Sequence, residues 1–114
     1  MTFGTSDNGA LHPLEIDIPG VEIALTDPDV QIVDCREQEE WDQSASQWHD
    51  LMPLGEMEMR IGELDRTRPV IIVCRSGNRS LVAAELLTNA GFQDAKSLAG
   101  GLIGWAESGR PLVR

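Results

Sequence analysis

The stretch from Val70 to Leu87 reads VIIVCRSGNRSLVAAELL, and this order of residues decides the fold. The four apolar residues at 70–73 predict a buried strand, and the segment 80–90 has the apolar content and spacing of a helix. A short loop that begins at Cys74 joins them. Because a helix N-terminus presents unpaired N–H groups and a partial positive charge, this arrangement favours the thiolate form of Cys74 and lowers its pKa.

The loop also carries groups that suit an anion. Its two arginines add permanent positive charge beside the sulfur, and Gly77 lets the backbone turn inward at little steric cost. We therefore predict one nucleophile and six substrate-binding residues: Cys74, then Arg75, Ser76, Gly77, Asn78, Arg79 and Ser80. The alternative for Cys74 is a buried structural thiol, because free cysteines are among the most buried residues.

The chain has 114 residues, of which 19 are acidic and 9 are basic, and its net charge is −10. This length fits one domain with a core of its own. The negative charge argues against nucleic acid or an anionic membrane as a partner. No apolar stretch approaches the roughly 18 residues that span a bilayer, and residues 1–7 do not resemble a signal peptide. We therefore expect a cytoplasmic protein in which Cys35 and Cys74 are reduced.

Apolar runs alternate with helical segments along the chain. The predicted strands lie at 14–18, 30–33, near Trp48, at 70–73 and at 95–98. The predicted helices lie at 21–25, 37–41, 55–65 and 80–90, with a last one that contains Leu102, Ile103 and Trp105. Residues 1–13, including His12, are expected to form a loose tail before a domain at 14–114. This alternation predicts an α/β domain with a largely parallel sheet.

Sites in parallel sheets gather at the carboxyl ends of the strands. Asp34 and Cys74 both follow apolar runs, so we expect them at the same edge of the sheet. Asp34 either caps the next helix or supports the active loop or Arg36, and Arg36 is expected to pair with Asp34 or another acid. Cys35 is expected to be a core residue and not a second nucleophile, and a resolving role would require its sulfur to lie near Cys74. His49 is expected at the surface or in a local structural role, because nothing places it near the loop.

Three separated segments resemble the signatures of the rhodanese family of sulfurtransferases. They are VDCREQEEW at 33–41, CRSGNR at 74–79 and LAGGLIGW at 98–105. The resemblance extends over residues 14–109 in the family's order. Cys35 stands where the family commonly has an apolar residue, and 48–55 only loosely matches the family's His-Ile-Pro-Gly-Ala segment. The resemblance implies a three-layer α/β/α domain with a mainly parallel central sheet of about five strands.

The resemblance also implies sulfur transfer. A small anionic donor such as thiosulfate would give its outer sulfur to Cys74, and the persulfide would pass it to cyanide, a thiol or a protein acceptor. Arg75 and Arg79 would bind the oxygens of the donor, and the N–H groups of the loop would bind the persulfide. No metal and no organic cofactor is required.

Two other functions are open to a cysteine loop of this kind. One is a persulfide carrier or binding module that delivers sulfur to a protein partner, to which the acidic surface would dock. The other is a cysteine-based phosphatase. Those enzymes place five residues between cysteine and arginine, whereas four residues separate Cys74 from Arg79. The shorter loop suits a single sulfur atom better than a phosphoryl group.

Overall fold

The computed structural model describes residues 11–43 and 50–110. Their strands are β1 (Glu15–Ile16), β2 (Gln31–Asp34), β3 (Asp50–Leu51), β4 (Val70–Val73) and β5 (Ala95–Leu98). Their helices are α1 (Ile18–Ala24), α2 (Gln38–Gln43), α3 (Leu54–Arg60), α4 (Asn78–Asn89) and α5 (Gly101–Glu107), with a 3₁₀ turn at Ile61–Glu63. None of these helices has the length and apolar character that a bilayer-spanning segment needs.

The strands form one sheet in the order β1-β5-β4-β2-β3, and every neighbouring pair is parallel. All four residues of the central strand β4 are buried. A parallel strand that is covered by helices on both faces needs apolar side chains in both directions, which explains the unbroken apolar run at 70–73. The prediction of an α/β domain with a parallel sheet of five strands is confirmed.

Helices cover both faces of the sheet. On one face, Ile72 belongs to a buried cluster that includes Met57 of α3 and Leu87 of α4. On the other face, Val73 belongs to a second cluster that includes Trp105 of α5. Successive residues of a strand point to opposite faces, so β4 contributes to both cores in turn. The fold therefore has the three layers that the family resemblance implies.

The first helix begins earlier than predicted. We expected Pro19 and Gly20 to separate β1 from a helix at 21–25, but α1 starts at Ile18. Asp17 caps it, because its carboxylate accepts the N–H of Gly20 at 2.8 Å. Proline fits the first turn of a helix, because an N–H at this position would have no hydrogen-bond acceptor within the helix. Pro19 therefore opens the helix instead of preventing it.

Several predictions concern the ends of the described segments. The strand near Trp48 and the surface position of His49 lie outside the described residues, and β3 begins at Asp50. Most of the predicted tail and the last four residues also lie outside them, so the boundary at 14 stays a prediction. His12 differs from a loose tail residue, since its Nδ1 accepts the N–H of Leu14 at 2.9 Å in a turn that leads into β1.

Helix α5 is fixed against the loop that follows β4. The N–H of Leu102 donates to the carbonyl of Cys74 at 2.8 Å, and the N–H of Ile103 donates to the carbonyl of Arg75 at 3.0 Å. Gly101 has a φ of +63°, and a Cβ at this position would lie 2.5 Å from the carbonyl oxygen of Arg75. The two backbones can approach this closely only because residue 101 is glycine.

We expect Gly101→Ala to lower the free energy of unfolding by about 3 kcal/mol. Left-handed strain contributes about 1–2 kcal/mol, and displacement of the Arg75 backbone contributes about 1–3 kcal/mol. Gly100→Ala is the matched control, because φ is +80° there but the nearest atom would lie 3.8 Å from the new Cβ. Urea unfolding measures both variants, and an equal loss would show that the contact with Arg75 is unimportant.

Candidate active site

The Cys74 sulfur lies in the loop at the carboxyl end of β4. It accepts the N–H of Gly77 at 3.1 Å and the N–H of Ser80 at 3.3 Å. It is also hydrogen-bonded to the Ser80 hydroxyl at 3.3 Å. Gly77 has a φ of 100° and immediately precedes α4, so the chain turns inward here as the sequence predicts. The loop therefore places donors on the sulfur itself, which is how backbone N–H groups bind an anion.

A second cysteine approaches this sulfur from the neighbouring strand. The β2–β4 register pairs Asp34 with Val73, so the next residues, Cys35 and Cys74, lie side by side. The N–H of Cys35 donates to the carbonyl of Val73 at 2.9 Å. The Cys35 thiol is thereby close enough to the Cys74 sulfur to influence its pKa. Cys35 is fully buried in the core, as predicted, but it also belongs to the site.

These donors lower the pKa of Cys74 to about 5. The Cys35 side chain contributes most, burial opposes it, and the hydroxyl and N–H of Ser80 and the N–H of Gly77 add to the lowering. The neighbouring Cys74 sulfur, together with burial, raises the pKa of the Cys35 thiol. At neutral pH the site therefore holds a Cys74 thiolate beside a Cys35 thiol.

Ser97 of β5 extends this network, and the sequence analysis missed it. Its Oγ lies 2.7 Å from Ser80 Oγ and 3.4 Å from the carbonyl oxygen of Gly77. Both serines are fully buried. When the Ser80 hydroxyl donates to the thiolate, the Ser97 hydroxyl can donate to Ser80 in turn. A serine in a buried strand is the one sign in the sequence, since buried hydroxyls need partners.

Arg79 is bound to an acid that the sequence analysis did not single out. Its Nη1 lies 2.6 Å from Oε1 of Glu40 in α2, and its Nη2 lies 2.9 Å from Oε2. This two-pronged ion pair lowers the pKa of Glu40 to about 2. We expected the Arg79 guanidinium to bind a donor, but in this structure it joins α2 to α4.

Arg75 is placed differently from Arg79. It is exposed, and its side chain has no ion pair or hydrogen bond with another of the described residues. It lines a cavity of about 420 Å³ together with Arg36, the carboxylates Glu40 and Glu107, and apolar residues of α5 that include Leu102 and Ile103. The permanent charge of Arg75 is thus available to a ligand in this cavity, beside an apolar wall.

Cys74 itself is completely buried and does not line this cavity. A reagent can therefore reach the sulfur only after neighbouring side chains move. Burial alone would equally suit a structural thiol. The N–H groups directed at the sulfur distinguish Cys74 from such a thiol, because a buried structural cysteine has its pKa raised and not lowered.

Asp34 and Arg36 form a buried ion pair below the cavity wall. Arg36 Nη2 lies 2.8 Å from Asp34 Oδ2, and the N–H of Arg36 donates to Oδ1 at 3.0 Å. The predicted pairing of these two residues is confirmed. The alternative that Asp34 caps the next helix is wrong, because α2 begins only at Gln38 and the Asp34 carboxylate bonds to Arg36 instead. Asp34 thereby orients a cationic residue of the cavity.

The site can perform nucleophilic chemistry with its own groups. A thiolate attacks an electrophilic atom, and the loop N–H groups then stabilise whatever anion replaces it. Within the described ranges, the side chains of His, Cys, Asp and Glu form no cluster suited to a metal ion. Ser76 and Asn78 are exposed on the loop, whereas Ser80 contacts the sulfur.

Comparisons with known proteins agree with this geometry. The sequence matches the family described as Rhodanese-like domain over residues 21–108. It is 36% identical over 100 residues to a sulfurtransferase of Allochromatium vinosum, covering 87% of this chain and 94% of that protein. It is 34% identical over 79 residues to the thiosulfate sulfurtransferase GlpE of Shewanella oneidensis, covering 69% of this chain and 78% of that protein.

A solved structure gives the same result for the fold. A rhodanese-related protein of Thermoplasma volcanium aligns with a TM-score of 0.77 at 25% sequence identity, covering 87% of this chain and 96% of that chain. The family match includes the segment at 33–41, the Cys74 loop and the segment at 98–105. The chain therefore belongs to the family of rhodanese-like domains.

Proposed function

We propose that the chain is a sulfurtransferase in which Cys74 carries sulfane sulfur as a persulfide. One observation carries this proposal: two loop N–H groups and a hydroxyl surround the Cys74 sulfur at 3.1–3.3 Å. They stabilise the thiolate that begins the reaction. They also remain near the negative charge after it has passed to the terminal sulfur of the persulfide. The relatives named as sulfurtransferases support the same chemistry.

Thiosulfate is the donor that we propose. The Cys74 thiolate attacks the outer sulfur of the thiosulfate dianion, the S–S bond of the donor breaks, and sulfite leaves with the electron pair. The product is Cys74–S–S⁻. Arg75 suits the sulfonate oxygens of the donor, because a guanidinium offers several N–H groups in one plane. The relative named as a thiosulfate sulfurtransferase supports this choice.

The second half-reaction returns the enzyme to its first state. A thiophilic acceptor such as cyanide or a thiolate attacks the terminal sulfur, and Cys74 leaves again as a thiolate. Because the pKa of Cys74 is about 5, this thiolate is a good leaving group. The apolar wall formed by Leu102, Ile103 and Ala106 favours an acceptor with an apolar part, such as a protein that presents a thiol.

A carrier that delivers sulfur to one protein partner would use the same persulfide. It differs from an enzyme only in its rate of repeated transfer to small acceptors. A carrier loads once and transfers slowly to small acceptors. A phosphatase is disfavoured by the acids beside the loop. Such an enzyme needs a protonated carboxyl as general acid, whereas the pKa of Glu40 is about 2 and its carboxylate is held by Arg79.

Intact mass after incubation with thiosulfate tests the proposal. We expect wild type to gain about 32 Da, one sulfur atom, and to lose it on addition of a reductant or cyanide. Cys74→Ser should gain nothing and lose at least about a thousandfold in transfer rate. Loading of Cys74→Ser would refute the role of Cys74. Hydrolysis of a chromogenic phosphate ester by wild type alone would favour the phosphatase.

The role of Arg75 is tested by steady-state kinetics. We expect Arg75→Ala to raise the KM for thiosulfate about 10- to 150-fold with little change in kcat, because a charge-assisted contact of about 1.5–3 kcal/mol is lost. Arg60→Ala removes the same charge from a surface ion pair on α3 and serves as the control. A similar KM in both variants would show that Arg75 does not bind the donor.

Titration of the thiolate by ultraviolet absorbance tests the loop. Because the pKa of Cys74 is about 5, the loading rate should be constant near neutral pH and fall as pH drops through that value. Ser80→Ala removes the hydroxyl on the sulfur and should move the midpoint to higher pH. Ser76→Ala, on the exposed side of the loop, should leave it unchanged. Identical midpoints in both variants would show that the Ser80 hydroxyl does not stabilise the Cys74 thiolate.

A further inference from the structure

Cys35 has a place in the site that sulfur transfer does not require. It is fully buried, it lies beside Cys74 across the β2–β4 register, and its backbone N–H donates to the carbonyl of Val73, the residue before Cys74, at 2.9 Å. Both side chains belong to the same buried cluster, on the face of the sheet that α3 and α4 cover. The two side chains therefore lie on the same face of the sheet and not on opposite faces.

The backbone spacing is compatible with a bond between these sulfur atoms. Neighbouring strands lie about 4.8 Å apart. A disulfide accepts Cα separations of about 4.4–6.8 Å. The position also isolates Cys35 from other reagents, since both residues are completely buried. Any sulfur exchange by Cys35 is thus directed to Cys74.

We infer that Cys35 is a resolving cysteine, which converts the Cys74 persulfide into a Cys35–Cys74 disulfide and releases the carried sulfur as hydrosulfide. This inference rests on the proposed persulfide at Cys74. It adds a second outlet for the sulfur: when no acceptor arrives, the domain releases sulfide and closes its own active site.

The step balances without an added oxidant. The Cys35 sulfur attacks the inner sulfur of Cys74–S–S⁻, a new S–S bond forms between the two cysteines, and the bond to the terminal sulfur breaks. The terminal sulfur leaves with the electron pair and takes the Cys35 proton, so HS⁻ is the product. The sulfane sulfur is reduced to sulfide, and the two cysteine sulfurs are oxidised to the disulfide. A dithiol reductant then restores both thiols.

Formation of the persulfide removes the reason for Cys35 to stay inert. In the resting site the neighbouring Cys74 sulfur and burial raise the pKa of Cys35, so Cys35 stays a thiol and the two sulfurs do not compete as nucleophiles. Once Cys74 carries a second sulfur, the negative charge lies one atom farther away and the inner sulfur becomes an electrophile. Because Cys35 begins as a thiol and not as a thiolate, the step is slow compared with attack by an external acceptor, on the order of minutes to hours.

The experiment follows the loaded protein after the donor is removed. Wild type is loaded with thiosulfate, passed through a desalting column and kept without acceptor, while intact mass and released sulfide are recorded. The expected result is loss of the gain of about 32 Da and appearance of a species about 2 Da lighter than the reduced protein, with one equivalent of sulfide. Peptide mapping should find Cys35 joined to Cys74, and dithiothreitol should restore the reduced mass.

Cys35→Ser and Cys35→Ala should keep the added sulfur at least about tenfold longer than wild type and release no sulfide beyond the background. Val33→Ala is the matched control, because it removes volume from the same buried strand and leaves both thiols. It should behave as wild type. Equal persulfide lifetimes in wild type and Cys35→Ala, or sulfide release without the disulfide, would overturn the inference.

Failure of this inference is distinguishable from failure of the proposed function. If thiosulfate loads no sulfur on wild type, the proposed donor is wrong, and loading with inorganic polysulfide replaces it in the same experiment. The lifetime of that persulfide, with and without Cys35, then decides the resolving role. If loading succeeds and the persulfide persists in wild type, sulfur transfer stands and the resolving role is refuted.

Discussion

Two backbone hydrogen bonds from the first turn of α5 hold the loop on which the rest of the site depends. They fix the carbonyls of Cys74 and Arg75 at 2.8 and 3.0 Å from their donors. With these carbonyls held on one side, the following N–H groups of Gly77 and Ser80 are left to face the sulfur. The glycine at 101 is part of the same constraint, because a side chain there would occupy the space of the loop backbone. The segment at 98–105, which is distant in sequence, therefore holds the backbone of the Cys74 loop in place.

Different groups stabilise the thiolate and offer charge to a ligand, whereas the sequence analysis assigned both tasks to the two arginines of the loop. Neutral donors, chiefly the Cys35 thiol, do most of the stabilisation of the thiolate. Arg36 and Arg79 are each bound to a carboxylate, which gives them fixed positions. Arg75 has no such carboxylate partner among the described residues, and it lines the cavity. In a chain with a net charge of −10, this division leaves Arg75 as an exposed cation at the cavity.

Local patterns predicted what depends on local sequence. The apolar run of β4, the loop and α4 are contiguous, so their order and the position of Cys74 followed from one stretch of chain. The missed contacts join distant segments. Glu40 meets Arg79 across 39 residues, and Ser97 meets Ser80 across 17 residues. Cys35 lies beside Cys74 only because β2 and β4 are neighbours in the sheet, and strand order is set by packing rather than by propensity.

The sheet order also determines how the domain meets other chains. Its two edges are β1 and β3, which have two residues each, and each edge carries an acid, Glu15 or Asp50. Unpaired strand edges are the usual templates for intermolecular β-pairing, and short, charged edges suppress it. The longer strands β2, β4 and β5, which have four residues each, are all interior. These strands are therefore hydrogen-bonded on both sides, and the sheet as described offers only two short edges for pairing with another copy of the chain.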